Sequence, residues 1–332
     1  MSSTPLAHEG TGVHELSTAD ETVDFRTTLE AERLVVAERT LEQKAPRPPL
    51  GDTWWRHVVA IIAVVIAVFP AAYVVSAAFN ADQGISGASL IPRDVTLDNF
   101  KELFNPPSDK SETNYPQWFL NSIFIATFTA FFTVMLGALA AYAFSRFRFQ
   151  GRRMGLLFLL LIQMFPQLLM LVAIYLIVLR TGEVFPALGL NHLLALGLVY
   201  LGGAMGVNVW LMKGFFDTIP RELDESARVD GATAAQIFWG VILPLATPVL
   251  AVVGLFAFVG VFNEFAIASI LLELNDKRTL PVGLQGFIDQ QYGERWGPFA
   301  AGVLLAAIPA VLLFAFLQRF IVSGLTQGSV KG

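Results

Sequence analysis

"ELDESARVDGATAAQIFWGVILP", residues 222–244, is a polar stretch set between two runs apolar enough to lie in lipid. Glu222, Asp224, Glu225 and Asp230 crowd its first part, and Asp217 lies just upstream. The first part reads as a short helix with framed ends. Pro220 suits the first helical position, and Glu222, Asp224 and Glu225 complement the positive end of the helix dipole. Asp224 and Arg228, four apart, are expected to pair on its surface, at about 0.3–0.5 kcal/mol. Gly231 is placed to take the left-handed conformation that closes a helix. Thr233, with Gln236 three residues later, then forms a capping box for a second helix. Ile237, Phe238, Val241 and Ile242 give that helix an apolar face, and Pro244 is expected to end it. The stretch is thus a helix–turn–helix at a membrane surface. It is either a solvated connector or a rigid knob for a cytoplasmic partner to grip.

Composition supports the membrane setting. The chain has 332 residues, 55% hydrophobic and 15% charged, against about 25% charged in soluble domains. There are no cysteines, which excludes disulfides and thiolate metal sites. The net charge of -5 is concentrated in the first 50 residues, and no nucleic-acid partner is expected.

Six apolar segments, near 57–79, 118–144, 155–179, 189–212, 247–272 and 298–321, are long enough to span a bilayer, which takes roughly 20 helical residues. Backbone groups find no water in hydrocarbon, so each segment must be helical and the fold class all-α. Counting lysine and arginine in the loops orients the bundle. With the N-terminus inside, the inner face collects twelve such residues and the outer face seven. The tight cluster "SRFRFQGRR" (145–153) is the strongest element of that bias. Both termini, and the opening stretch with them, are expected to be cytoplasmic. No cleaved signal is expected, and residues 1–56 read as a cytoplasmic tail, with a weak amphipathic helix over 22–44.

"ESARVDGATAAQIFWGVILP" resembles the EAA loop of ABC-importer permease subunits at Glu225, Ala227, Asp230, Gly231, Ala232, Phe238, Leu243 and Pro244. Ser226 stands where the family has a second small residue. Further stretches are similar to the second permease of maltose-type carbohydrate importers: "AYAFSRFRFQG" (141–151), "IQMFPQ" (162–167), "YLGGAMGVNVWLMKGFF" (200–216) and "GLTQGSVKG" (324–332). "SLIP" (89–92) and "LPVGLQGFI" (280–288) belong with them. The resemblance implies a six-helix type I importer permease (MetI-like) fold over 57–332, with an ATPase-coupling loop at about 213–246. It implies as partners a homologous second permease, two copies of an ABC ATPase, an extracellular sugar-binding protein and membrane lipid. Docking on the ATPase would fall to Glu222, Glu225, Ser226, Ala227, Asp230, Gly231 and Ala232. Gly328, Val330 and Lys331 of the C-terminus would reach the ATPase as well. The outer loop 273–297 would approach the binding protein through Gln285, Gln290, Gln291, Tyr292 and Trp296, residue types that equally suit an interfacial aromatic belt.

The chain carries no GxxxxGK[ST] phosphate loop, so ATP and Mg are expected on the partner ATPase and no cofactor or metal on this chain. It is expected to be a non-catalytic subunit. An ion-coupled carrier would need buried ionisable groups, and the six segments hold one central acid, Glu264 in "VFNEFAIAS". For a passenger sugar, hydrogen-bonding candidates are Gln163, Gln167, Asn208, Asn263 and Glu264, with Asn121 and Ser122 beside them. Each has a competing reading as glue between helices. Pro166 and Pro248 mark expected bends. Maltose or maltodextrin is the first expectation for the passenger, with trehalose or another oligosaccharide beside it.

Overall fold

The computed structural model describes residues 33, 35, 50–81, 94–106, 113–288 and 295–328, with backbone alone at 50–53 and 321–328. The chain divides into two compact units, Met1–Ile66 and Ala67–Gly332. In the first, helical Arg33 and Val35 stand apart from the start of α1 (Leu50–Phe79), which begins earlier than the expected residue 57. Its side chains from Trp54 to Ile66 are all exposed, and they are almost wholly apolar. Such a surface belongs against lipid or another apolar partner.

The second unit continues with α2 (Asp98–Phe104), α3 (Tyr115–Arg146), α4 (Arg152–Gln163) and α5 (Leu171–Val184), the last led in by a 3₁₀ turn at Gln167–Met170. Then come α6 (Leu193–Thr218), α7 (Arg221–Val229), α8 (Ala234–Ile237), α9 (Thr247–Phe262), α10 (Ala266–Leu271), α11 (Leu280–Gln285) and α12 (Trp296–Gly328). No strand occurs among the described residues; Asn80 and Val95 make an isolated bridge. The fold is all-α, as expected.

Five helical stretches among the described residues are long and apolar enough to cross a membrane: Trp54–Phe79, Tyr115–Arg146, Gln167–Val184, Leu193–Thr218 and Trp296–Phe320. The pair Ala234–Leu245 and Thr247–Phe262, bent by 77°, passes the same test together and makes a sixth when counted as one broken span. Three expectations are corrected in detail. The third segment is not one helix over 155–179: α4 stops at Gln163 and the chain restarts at Gln167. Pro166 offers no N–H to Ile162, and a proline disfavours helical geometry in the residue before it. The fifth segment ends at Phe262 rather than 272, because Asn263 caps α9 and Glu264 starts α10. Pro244 does not end its helix either. With no N–H to return to Gly240, the ladder widens into a π turn at Phe238–Ile242, and the run goes on to Leu245. The bend comes next, with Pro248 in the first turn of α9, where a missing N–H costs nothing.

Side-chain contacts set the directions of the central helices. Gly197 lies against Ile125 and Phe128, and Gly137 against Met212, so α3 and α6 run parallel. Trp210 donates to Leu156 O at 2.9 Å and Gln163 bonds Gly203 O, so α4 is antiparallel to α6. Phe119 meets Phe262 and Val134 meets Gly254, so α9 is antiparallel to α3. Apolar cores form at both ends of α3 and α9. One joins Leu103, Tyr115, Trp118, Phe262, Leu280, Phe287 and Ala301. The opposite one joins Tyr142, Met212, Phe216, Ile237, Phe238 and Ile242 under α7 and α8. A third, between α5, α6 and α10, holds Val178, Leu196, Ile267 and Leu271.

Candidate functional site

The helix α7 has two unlike faces. Glu222, Glu225, Ser226 and Val229 follow the i, i+3, i+4, i+7 spacing of one stripe, and all four are exposed. Val229 is 88% exposed, high for an apolar residue on a framed helix. The opposite side carries Asp224, which is buried, and Ala227, which packs against the apolar core below. Pro220 sits at the N-cap, one position before the first helical residue where it was expected. At the far end Gly231 has φ +85°, the left-handed closing turn read from its position. Its N–H reaches Arg228 O at 3.0 Å, and Ala232 N donates to Ala227 O at 2.9 Å. Thr233 and Gln236 form the capping box that starts α8.

Asp224 departs from expectation. It does not pair with Arg228 on the surface; its Oδ2 lies 2.7 Å from Nε of Arg146, the last residue of α3, with side chains 5% and 3% exposed. The contact is an ion pair without an aligned hydrogen bond at Nε. The guanidinium spends its other end on Ile219 O, 2.9 Å from Nη2. Ser145 beside it donates to Asp217 Oδ1 at 2.6 Å, and Lys213 pairs with the other oxygen of Asp217. The end of α3 is thus tied to the end of α6, to the linker and to α7.

At the opposite end, α3 holds the loop that follows α10. Trp118 Nε1 donates to Asn275 O and Oδ1 at 2.8 and 2.9 Å. Asn121 Nδ2 donates to Asp276 O and Arg278 O at 3.0 and 2.9 Å, and Ser122 Oγ accepts Leu280 N at 2.7 Å. Asn191, at φ 61°, accepts Glu273 N and Leu274 N at 2.7 and 2.8 Å.

Residues 133–327, more than half of the chain, match the family described as "Binding-protein-dependent transport system inner membrane component". This chain belongs to that family. The permease is 41% identical over 273 residues to the galactooligosaccharides transport system permease protein GanQ of Bacillus subtilis, covering 82% of this chain and 93% of that one. It is 40% identical to the maltodextrin permease MdxG of Bacillus subtilis over 81% of this chain and 92% of that one. With the maltose/maltodextrin permease MalG of Escherichia coli it shares 37% identity over 86% and 98%. Its fold is that of a chain in a bacterial ABC transporter involved in import of the acidic polysaccharide alginate, with TM-score 0.67 and 23% identity, over 83% of this chain and 99% of that one. A chain of that transporter in complex with a periplasmic protein bound to alginate pentasaccharide matches at TM-score 0.59 and 15% identity, over 82% and 96%.

The polar candidates of the permease's helices are not gathered into one site. Gln163 bonds Gly203 O, tying α4 to α6, and exposed Gln167 opens the 3₁₀ turn. Asn208 and Asn263 bond carbonyls of their own helices. Glu264 accepts Tyr200 Oη and the N–H groups of Ile267 and Ala268, at 2.8 Å for Ile267. Gln285 is exposed at the end of α11, and Trp296 opens α12 with its ring edge-on to Phe299. Gly328 is the last residue of α12. Gln290, Gln291, Tyr292, Val330 and Lys331 lie outside the described residues, as does nearly all of the 1–56 tail and its 22–44 helix. Three residues that hold these contacts carry little mark in the sequence. Arg146 was read only as part of a basic cluster, although the end of an apolar helix facing an acidic loop was a signal. Tyr200 and Asn191 carried none, because their partners lie 64 and 82 residues away in sequence.

Proposed function

We propose that this permease is one membrane half of an ATP-driven importer of maltodextrin-like oligosaccharides, and that α7 is the piece its ATPase grips. The carrying observation is the exposed stripe of Glu222, Glu225, Ser226 and Val229 on a helix whose other face and both ends are fixed. A surface with a bare valine at its C-terminal end and carboxylates before it suits a cleft with an apolar floor and a rim of cations. Asp230, Gly231 and Ala232 hold the turn behind it, and Gly328, Val330 and Lys331 would supply a second contact with the motor. ATP and Mg would sit on two copies of the ATPase, since this chain has no phosphate loop. A second permease would complete the pathway. An extracellular binding protein would deliver the sugar near the outer loop 273–297. Both termini and α7 would then face the cytoplasm, in line with the excess of basic residues on that side.

ATP-driven closure of the motor moves α7, and the central helices α3, α4, α6 and α9 answer by exchanging inward- and outward-facing arrangements. The binding protein and ATP need only favour the same one of these two states. The sugars named for the relatives, galactooligosaccharides, maltodextrin and maltose, favour a neutral oligosaccharide; trehalose stays within that class. An ion-coupled carrier is disfavoured by Glu264, whose oxygens are engaged by Tyr200 and two backbone amides.

The test is Glu225→Lys, which puts a cation where the cleft's cations would lie. Uptake of labelled maltodextrin should fall to background while the amount of permease in the membrane stays unchanged. Normal uptake by this variant would remove the docking role. Titration of the cognate binding protein against a sugar panel then decides the passenger.

A further inference from the structure

We propose that the buried Arg146–Asp224 pair is the positioning element that sets the rotation of α7 about its own axis, and so decides which face the motor meets. This deepens the docking role proposed for α7 and rests on it. The pair joins the last residue of a 32-residue helix to the middle of a nine-residue one. Both side chains are almost fully shielded, at 3% and 5% exposure. A buried pair of this kind is weak evidence for added stability, because desolvation offsets the attraction. Its effect is directional. Arg146 holds Asp224 through Nε and Ile219 O through Nη2, so one planar group fixes both the linker entering α7 and a point on the helix itself. With Asp224 held inward, the 3.6-residue period turns Glu222, Glu225, Ser226 and Val229 outward. Apolar contact alone would not do this, since Ala227 is the only apolar residue of α7 packed on the core below. The anchor is also where motion would enter α3, whose other end carries Trp118, Asn121 and Ser122 against the loop after α10. Two polar atoms nearby, Asp224 Oδ1 and Tyr142 Oη, are buried and make no hydrogen bond, so the joint has bonding capacity unused in this arrangement.

The absence of cysteine makes the rotation directly readable. Single cysteines are placed at Val229 and Ala227 of the full chain in inside-out vesicles, and their reaction with a membrane-impermeant maleimide is timed. Val229→Cys should react about tenfold faster than Ala227→Cys, given 88% exposure against a packed position. In an Arg146→Lys background, which keeps the charge but loses the planar fork, that contrast should shrink severalfold. An unchanged contrast overturns the proposal. The second arm uses the assembled transporter. Arg146→Met with Asp224→Leu removes both charges, and such replacements are often neutral for folding. The pair of changes should leave thermal stability and ATPase co-purification near those of the unaltered complex, yet lower uptake by about tenfold or more, as misplacement does. Uptake within twofold of the unaltered complex would show that the pair is structural only. Labelling needs no motor, so it tests the joint even if α7 proves not to be the docking helix. Failure of the unaltered chain to co-purify with an ATPase would sink the docking reading alone.

Discussion

Gly283→Ala is the most demanding single test of how the end of the bundle around Trp118 is built. A Cβ at this position would lie 2.2 Å from Cδ2 and Cε3 of Trp118 and 2.8 Å from Cε2. Carbon atoms in contact sit about 3.5–4.0 Å apart, so ring and helix must separate by more than an ångström. The ring cannot swing aside cheaply, because Trp118 is 3% exposed and its Nε1 is held by Asn275 O and Oδ1. Forcing one methyl into a filled core costs about 1–3 kcal/mol. Loss of the indole's hydrogen bonding adds about 0.5–1.5 kcal/mol. Against this, alanine is favoured over glycine inside a helix by about 1 kcal/mol. The net expectation is a destabilisation of about 1–3 kcal/mol. The fair control is Gly202→Ala, also inside a helix but with open space around its Cβ, which should be neutral or slightly stabilising. Thermal unfolding of the detergent-purified permease, followed by tryptophan fluorescence, compares the two. A smaller residue at 118 should relieve the strain, so Gly283→Ala combined with Trp118→Leu should cost less than the sum of the single changes. Equal unfolding temperatures for Gly283→Ala and Gly202→Ala would refute the packing argument.

Other outcomes follow from single atoms. Ser122→Ala strips the acceptor from the buried N–H of Leu280 and should cost about 1–3 kcal/mol; hydrogen exchange at residues 279–284 should rise with it. Asn191→Ala removes the acceptor for two amides and leaves a left-handed residue without its side-chain support, whereas Asn191→Asp keeps both bonds and should unfold near the unaltered temperature. Gly231→Val should lose transport and motor stimulation, since φ +85° costs an L-residue about 1–2 kcal/mol and a β-branched one more; stimulation at the original level would contradict the closing turn.

Much of this architecture is written in local sequence. The six apolar runs, the glycine turn at 231, the capping box of Thr233 and Gln236 and the break at Pro166 each depend on residues within a few positions of one another. The misplaced ion pair has a different cause. Asp224 was assigned to Arg228 because that partner is four residues away, but Arg146, 78 positions earlier, takes it in the folded chain. A periodic pattern shows which residues share a face of a helix, and it does not show what that face meets. Asn121 and Ser122 can be read from sequence either as pathway lining or as glue; in the folded chain both bond the loop at residues 276–280. Glu264 shows the same limit, because only the folded chain supplies Tyr200.

α3 carries polar anchors at both of its ends. At its end, Ser145 and Arg146 gather Asp217, Ile219 and Asp224; at its start, Trp118, Asn121 and Ser122 gather Asn275, Asp276, Arg278 and Leu280. Each of these contacts is polar, while the middle of the helix packs through small residues such as Ala126, Ala130, Gly137 and Ala138, with Ile125 and Phe128 against Gly197. Small residues let neighbouring helices approach closely and slide with little change in contact. Polar contacts at the ends hold their partners in fixed register. If α7 is moved as proposed, a rod held at both ends can pass that displacement to the loop after α10 without first melting. Crowding its middle, as Gly137→Leu would against Met212, should therefore slow transport while the ATPase still binds. Full transport rates in that variant would mean that the displacement takes another route.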